Sequence, residues 1–234
     1  MNDKAVVAAY GEQFYDAAAT IYVNFYVSEL QIIDLCGKWI PRRTRLREKF
    51  FLVHHAADEI RHSEMFEAGF TRLGGQMSEQ VIGKYLVEDM GDRFDKLQQS
   101  EDELEVLLGL NLYAEGVLAM LELEQLGRNM PKVFPDFLRI ATDEKIHLAY
   151  GKKVMERMLK EDPSNVARAL AIAKGYRAHL DEYLWSSIDN LITYGVSVGA
   201  LDANYREQAI ERFEVLMDTL GLDVRSPGMA PVLA

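Results

Sequence analysis

At 234 residues, 49% of them hydrophobic, the chain is long enough to bury one sizeable core, and a net charge of −11 argues against a nucleic-acid or anionic-membrane surface. Its single cysteine, Cys36, excludes an internal disulfide and fits a reducing, cytoplasmic setting. The opening MNDKAVVAAYGEQFYD lacks the basic start and apolar stretch of a signal peptide, and no run of about 18 apolar residues predicts a membrane span.

Apolar residues recur every three or four positions in long segments, and strand-like runs of β-branched residues are few, which predicts an all-α chain. A first helix is expected over about 11–35, stopped near Gly37 and Pro41. The basic stretch PRRTRLREK (41–49) reads as a solvated start to a second helix, N-capped by Thr44 and ended by LGG (73–75). The polar segment 76–100, with Gly83 and Gly91, reads as a long crossover with one short helix. A third helix is expected over about 101–128 and, after NMPKVFP, a fourth to about Lys160, before EDPSN. Two C-terminal helices, about 164–194 and 203–220, precede an irregular tail (221–234). The sum is one domain over 1–234: two helical hairpins joined by a crossover (about 11–160), plus a C-terminal pair.

Chemistry enters through a repeated motif. Asp-Glu-x-x-His occurs in AADEIRHSEMF (56–66) and again in ATDEKIHLAY (141–150). Glu29 precedes Glu59 by 30 residues and Glu115 precedes Glu144 by 29, while Glu59 to Glu144 and His62 to His147 are both 85. If each hairpin folds at its break, near residue 44 and just before Pro131, these residues come level roughly 22 Å from the turn at 1.5 Å per residue. Glu and His at i and i+3 share one helix face. Glu29, Glu59, His62, Glu115, Glu144 and His147 thus make two lone glutamates and two Glu-x-x-His pairs, the donor set of carboxylate-bridged metal pairs in helix bundles. Two divalent cations balance four buried carboxylates, whereas one leaves a strongly anionic core. Oxygen and imidazole donors suit two iron ions, with manganese or a mixed iron–manganese pair as the alternative.

Neighbouring residues have paired readings. Tyr26 and Tyr22, three and seven before Glu29, either reach the metals as hydrogen-bond donors or redox-active phenols, or pack in the core. Cys36 reads as buried. His55 and His54 are set aside as ligands because the set of six is complete. His179 reads as a partly exposed helix residue, and Glu122 as either an acid behind the ligands or the polar end of its helix. Phe25, Tyr26, Ile32, Leu112, Leu118, Met120, Tyr183, Leu184 and Trp185 are expected to wall a closed apolar cavity.

On these motifs the chain resembles the ferritin-like diiron oxygenases and oxidases. The stretch SELQIIDLCGKWIPRRTRLREKFFLVHHAADEIRHSEMF (28–66) looks most like the catalytic subunit of phenylacetyl-CoA oxygenase. DEKIHLAYGKKVMERMLKEDP (143–163) looks like the acyl carrier protein desaturases, and length and ligand spacing are similar to the aldehyde-deformylating oxygenases. The resemblance covers about residues 12–160. It implies a ferritin-like four-helix bundle with a long crossover between helices 2 and 3 and two extra C-terminal helices. It also implies dioxygen activation that hydroxylates, N-oxygenates, desaturates or cleaves a small to medium, largely apolar organic substrate, with electrons from an external donor or from the substrate. The apolar faces around Glu29 and Glu115 predict a monomer or small oligomer, a homodimer first. Ferritin-like iron storage and dimanganese catalase chemistry are the competing readings. Asp58 would hydrogen-bond His147, and Asp143 His62, across the helices. Many relatives carry a threonine three or four residues after the third-helix glutamate, where this chain has Leu118 and Ala119, with Thr142 on another helix.

Overall fold

A computed structural model of the chain describes residues 10–225, and among them all regular backbone is helical, with no strand. Gly11, at φ 86°, opens α1 (Glu12–Trp39) in a conformation that favours glycine. The helix runs past the expected stop at residue 35. A mid-helix glycine costs only about 1 kcal/mol, and burial of Cys36 and Trp39 on either side of Gly37 outweighs it. Pro41, lacking an N–H, ends the ladder. α2 (Leu46–Arg72) begins after Arg45 with no side-chain cap, so Thr44 is not the expected N-cap; Arg157 instead reaches back to Glu48 in the first turn at 2.9 Å.

The crossover holds two short helices, α3 (Glu79–Tyr85) and α4 (Glu88–Gln99), rather than the one expected. Ser78 caps α3 by accepting from the Val81 amide at 3.3 Å. Phe94 and Leu97 bury the inner face of α4. Asn24 of α1 fixes the junction, donating to the Tyr85 carbonyl and accepting from the Val87 amide, both at 2.9 Å.

α5 (Glu103–Asn129) is π-helical over Leu107–Ala119 and apolar on nearly all sides. Contrary to the sequence expectation, it is long and apolar enough to cross a membrane, but 78% of its most apolar window is buried inside the protein. A helix enclosed by others reads this way. α6 (Phe137–Glu161) packs along it, and α7 (Ser164–Glu182) continues into a π-helical turn, Tyr183–Ser187. There the expected helix over 164–194 breaks: Ile188 bonds back to the Tyr183 carbonyl at 3.1 Å, and Arg206 takes the Leu184 carbonyl at 3.1 Å. α8 (Asp189–Ser197) and α9 (Tyr205–Thr219) complete nine helices among the described residues. Residues 221–225 are irregular; the rest of the expected tail lies outside the described residues.

α1 packs along α2, and α5 is held between α6 and α9. An aromatic cluster of Phe25, Phe66 and Phe137 lies at one end, with Phe25 and Phe66 stacked at 4.9 Å. A second cluster joins α5, α7 and α9 through Tyr113, Leu180 and Phe213, and a third gathers Trp39, Leu52 and Phe94. α6 approaches α5 closely at Gly151, where a Cβ would strike the side chain of Asn111. We expect Gly151→Ala to lower stability by about 1–3 kcal/mol through overpacking; a chemical-denaturation midpoint equal to wild type would contradict this close approach.

Candidate metal centre

Each long helix delivers a carboxylate to one place. Glu29 comes from α1, Glu59 from α2, Glu115 from the π-helical stretch of α5 and Glu144 from α6, all at most 4% exposed. His62 and His147 stand one turn beyond Glu59 and Glu144, with Nδ1 3.0 and 3.1 Å from the Oε2 of their own glutamates. Across the cluster, His62 Nδ1 lies 3.3 Å from Glu144 and His147 Nδ1 3.2 Å from Glu59. The six predicted ligands therefore meet.

His55, set aside as a ligand on the sequence, also lies within the cluster as a seventh potential donor. Its ring is 1% exposed, with Nε2 2.8 Å from Glu115 and 2.9 Å from Glu59, and it stacks on His147 at 3.8 Å. The signal was present in the spacing. His55, Glu59 and His62 stand at i, i+4 and i+7, one stripe of a helix. Donor atoms fall into two groups that could each hold a metal ion: Glu29, Glu59, His62 and Glu144 in one, and His55, Glu59, Glu115 and His147 in the other. Glu59 belongs to both and is placed to bridge. Glu144 belongs to the first group alone, although its Oε2 also approaches His147.

The outer imidazole nitrogens face carboxylates across the helices: His147 Nε2 is 3.4 Å from Asp58 and His62 Nε2 3.3 Å from Asp143. Arg61, which the sequence reading missed, donates to both aspartates at 2.8 Å and locks the pair together. On α5, Asn111 donates to Glu115 at 2.8 Å. Tyr22 is committed elsewhere, its hydroxyl donating to the Val133 carbonyl at 2.6 Å, and Tyr26 packs half-buried against the aromatic cluster. Cys36 is buried. His179 is buried rather than partly exposed, held between Tyr113 at 2.7 Å and Asp89 at 2.8 Å.

Electrostatics test the fit of a cation. Burial, reinforced by Glu59, Glu144 and Glu115, holds the Glu29 carboxyl well above the usual carboxylate range. His62 pays for burial but is pulled up to about 10 by Glu144 and Glu59, and His55 is likewise raised by Glu115 against its burial. The cluster thus compensates its own charge with protons. Yet the Glu59 Oε1 atom still lacks a well-formed hydrogen bond, although His55 Nε2 is only 2.9 Å away. Distance without alignment leaves that lone pair available, and a bound cation would satisfy it. Nitrogen and carboxylate oxygen donors suit a transition-metal ion.

An apolar cavity adjoins the site. It touches Glu29, Glu115 and Glu144 and is walled by Phe25, Ile32 and Leu118 among others, with Tyr183 and Glu122 further along. Trp185 does not contribute as expected; it is 56% exposed and lies under Arg206. Tyr26, Leu112, Met120 and Leu184 also fall outside the wall. Neither a family model nor a curated protein matches the chain.

Two outcomes check this centre. Because Glu29 and His62 hold protons that a metal must displace, zinc binding at pH 7 should release protons and strengthen as pH rises; a pH indicator in weak buffer reads this, and binding without proton release contradicts it. Arg61→Ala should weaken metal binding roughly 10-fold or more while helicity by circular dichroism is kept; unchanged affinity would make the Asp58–Arg61–Asp143 lattice irrelevant to the histidines.

Proposed function

We propose that the chain is a non-heme diiron oxygenase or oxidase on a ferritin-like four-helix bundle formed by α1, α2, α5 and α6, acting on a small to medium, largely apolar organic substrate. The observation that carries the reading is the junction of two buried donor groups, sharing Glu59, with an apolar cavity that reaches three of the same carboxylates. A pair of ferrous ions would supply the electrons that reduce dioxygen, chemistry that no side chain here provides.

The chain's own residues do the rest. Asp58 and Asp143, clamped by Arg61, orient His147 and His62, so the two histidines present Nδ1 inward. Asn111 holds one oxygen of Glu115. Phe25, Ile32 and Leu118 keep water from the reacting face and lodge the apolar substrate there. The serine and threonine hydroxyls of the wall are already committed, Ser28 donating to the Phe25 carbonyl at 2.9 Å and Thr20 to the Asp16 carbonyl at 2.9 Å. The outcome would be hydroxylation, N-oxygenation, desaturation or oxidative cleavage; Leu118 and Ala119, in place of a threonine, weaken the case for desaturation by the familiar route. These 234 residues carry no flavin or iron–sulfur motif, so electrons would come from a separate protein or from the substrate.

Iron storage is the reading to be separated from this one. A storage protein keeps adding iron inside a large shell, whereas an oxygenase stops when its ligands are filled. Leu46, Phe50 and Val53 form an exposed apolar stripe on α2 that fits pairing of two copies. Aerobic incubation of the metal-free chain with excess ferrous iron, followed by sizing and iron counting, should give about two irons per chain in a monomer or homodimer. Tens of irons per chain in a large shell would overturn the oxygenase reading.

A further inference from the structure

Seven residues beyond Glu115 on α5, the cavity wall carries a carboxyl group that none of the described residues partners. Glu122 is half-buried and makes no hydrogen bond or ion pair among the described residues; it lines this cavity and, with Tyr205, a smaller one. The cavity wall beside it includes Tyr183 and Tyr205, each also without a hydrogen bond from its hydroxyl among the described residues, and both feel the Glu122 charge. Burial alone, offset by no cation, pushes the Glu122 carboxyl up to about 7. An unpaired carboxyl in an apolar core is costly to keep. Every other charged group of the wall is accounted for: Glu29, Glu115 and Glu144 belong to the metal centre, and Arg93 is committed to Asp89 and His179.

We propose that Glu122, with the hydroxyls of Tyr183 and Tyr205, anchors the ammonium group of an aliphatic amine whose apolar chain lies along the cavity toward Glu29, Glu115 and Glu144. The inference rests on the substrate-cavity reading above and names the substrate class. A cation is favoured for two reasons. The wall offers carboxylates and no free cation, so its field repels an anionic ligand. A neutral alcohol or carbonyl would gain only an ordinary hydrogen bond, whereas an ammonium gains a charge-assisted one in a desolvated site. Glu122 stands about 10 Å along the helix from Glu115 at 1.5 Å per residue, the span of an extended chain of about eight carbons. Glu122 is in this account a specificity residue, remote from the reacting end.

Calorimetric titration of the purified full-length chain with octylamine, octanol and octanoate tests this, in wild type, Glu122→Gln, Tyr205→Phe and His62→Ala. Wild type should bind octylamine about tenfold or more tighter than octanol, with octanoate weakest. Glu122→Gln should bring the amine-to-alcohol ratio near one while leaving octanol affinity within about twofold. Tyr205→Phe, which keeps the ring and its packing, should reduce the ratio partially, and this variant serves if Glu122→Gln does not fold. His62→Ala, which damages only the metal centre, should keep the amine preference. Octanol binding with no amine preference in wild type, or a preference that survives Glu122→Gln, overturns the amine assignment and leaves the apolar cavity standing. Binding of none of the three ligands overturns both the amine assignment and the cavity's role in the oxygenase reading.

Discussion

Four carboxylates buried within one cluster set the terms for everything around them. Each would cost several kcal/mol to desolvate alone, and together they repel. The protein meets this with protons on Glu29 and the imidazoles, and with a geometry in which positive ions can take the protons' place. Such an arrangement needs rigid walls, because a relaxed bundle would let the carboxylates separate into water. The enclosed α5 and the three apolar clusters supply that rigidity.

The π-helical stretch of α5 links this constraint to the cavity. Glu115 lies within it, and Asn111, four residues earlier, fastens the carboxylate while packing on Gly151 of α6. The wider helical turns are a recurring feature of functional sites. Further along the same helix, Leu118 and Glu122 line the cavity, so one element carries a donor, a wall and the group assigned to the substrate's head. The second π-helical turn, at Tyr183–Ser187, does related work from the other side by placing Tyr183 against that cavity.

Much of this was legible in the sequence because helical periodicity is local. A glutamate and a histidine three apart share a face wherever the helix lies, and two hairpins with matched spacing bring their faces level; hence the six donors could be named in advance. His55 obeyed the same periodicity and was excluded only by counting ligands. What escaped was set by distant contacts. The break at Ile188 depends on Arg206 reaching the Leu184 carbonyl, and α4 depends on Phe94 and Leu97 finding a core. The burial of His179 depends on Tyr113 and Asp89, far from it in the chain. Arg61 looked like one charge among many on α2 until Asp143 arrived opposite.

The central claim is that this cluster holds two metal ions in distinct but linked positions. Crystals grown with ferrous iron under anaerobic conditions, measured for anomalous scattering at the iron and manganese edges, test it most directly. The account predicts two peaks per chain, one among Glu29, Glu59, His62 and Glu144 and one among His55, Glu59, Glu115 and His147, with Glu59 between them. A single peak, or none within the cluster, would contradict it.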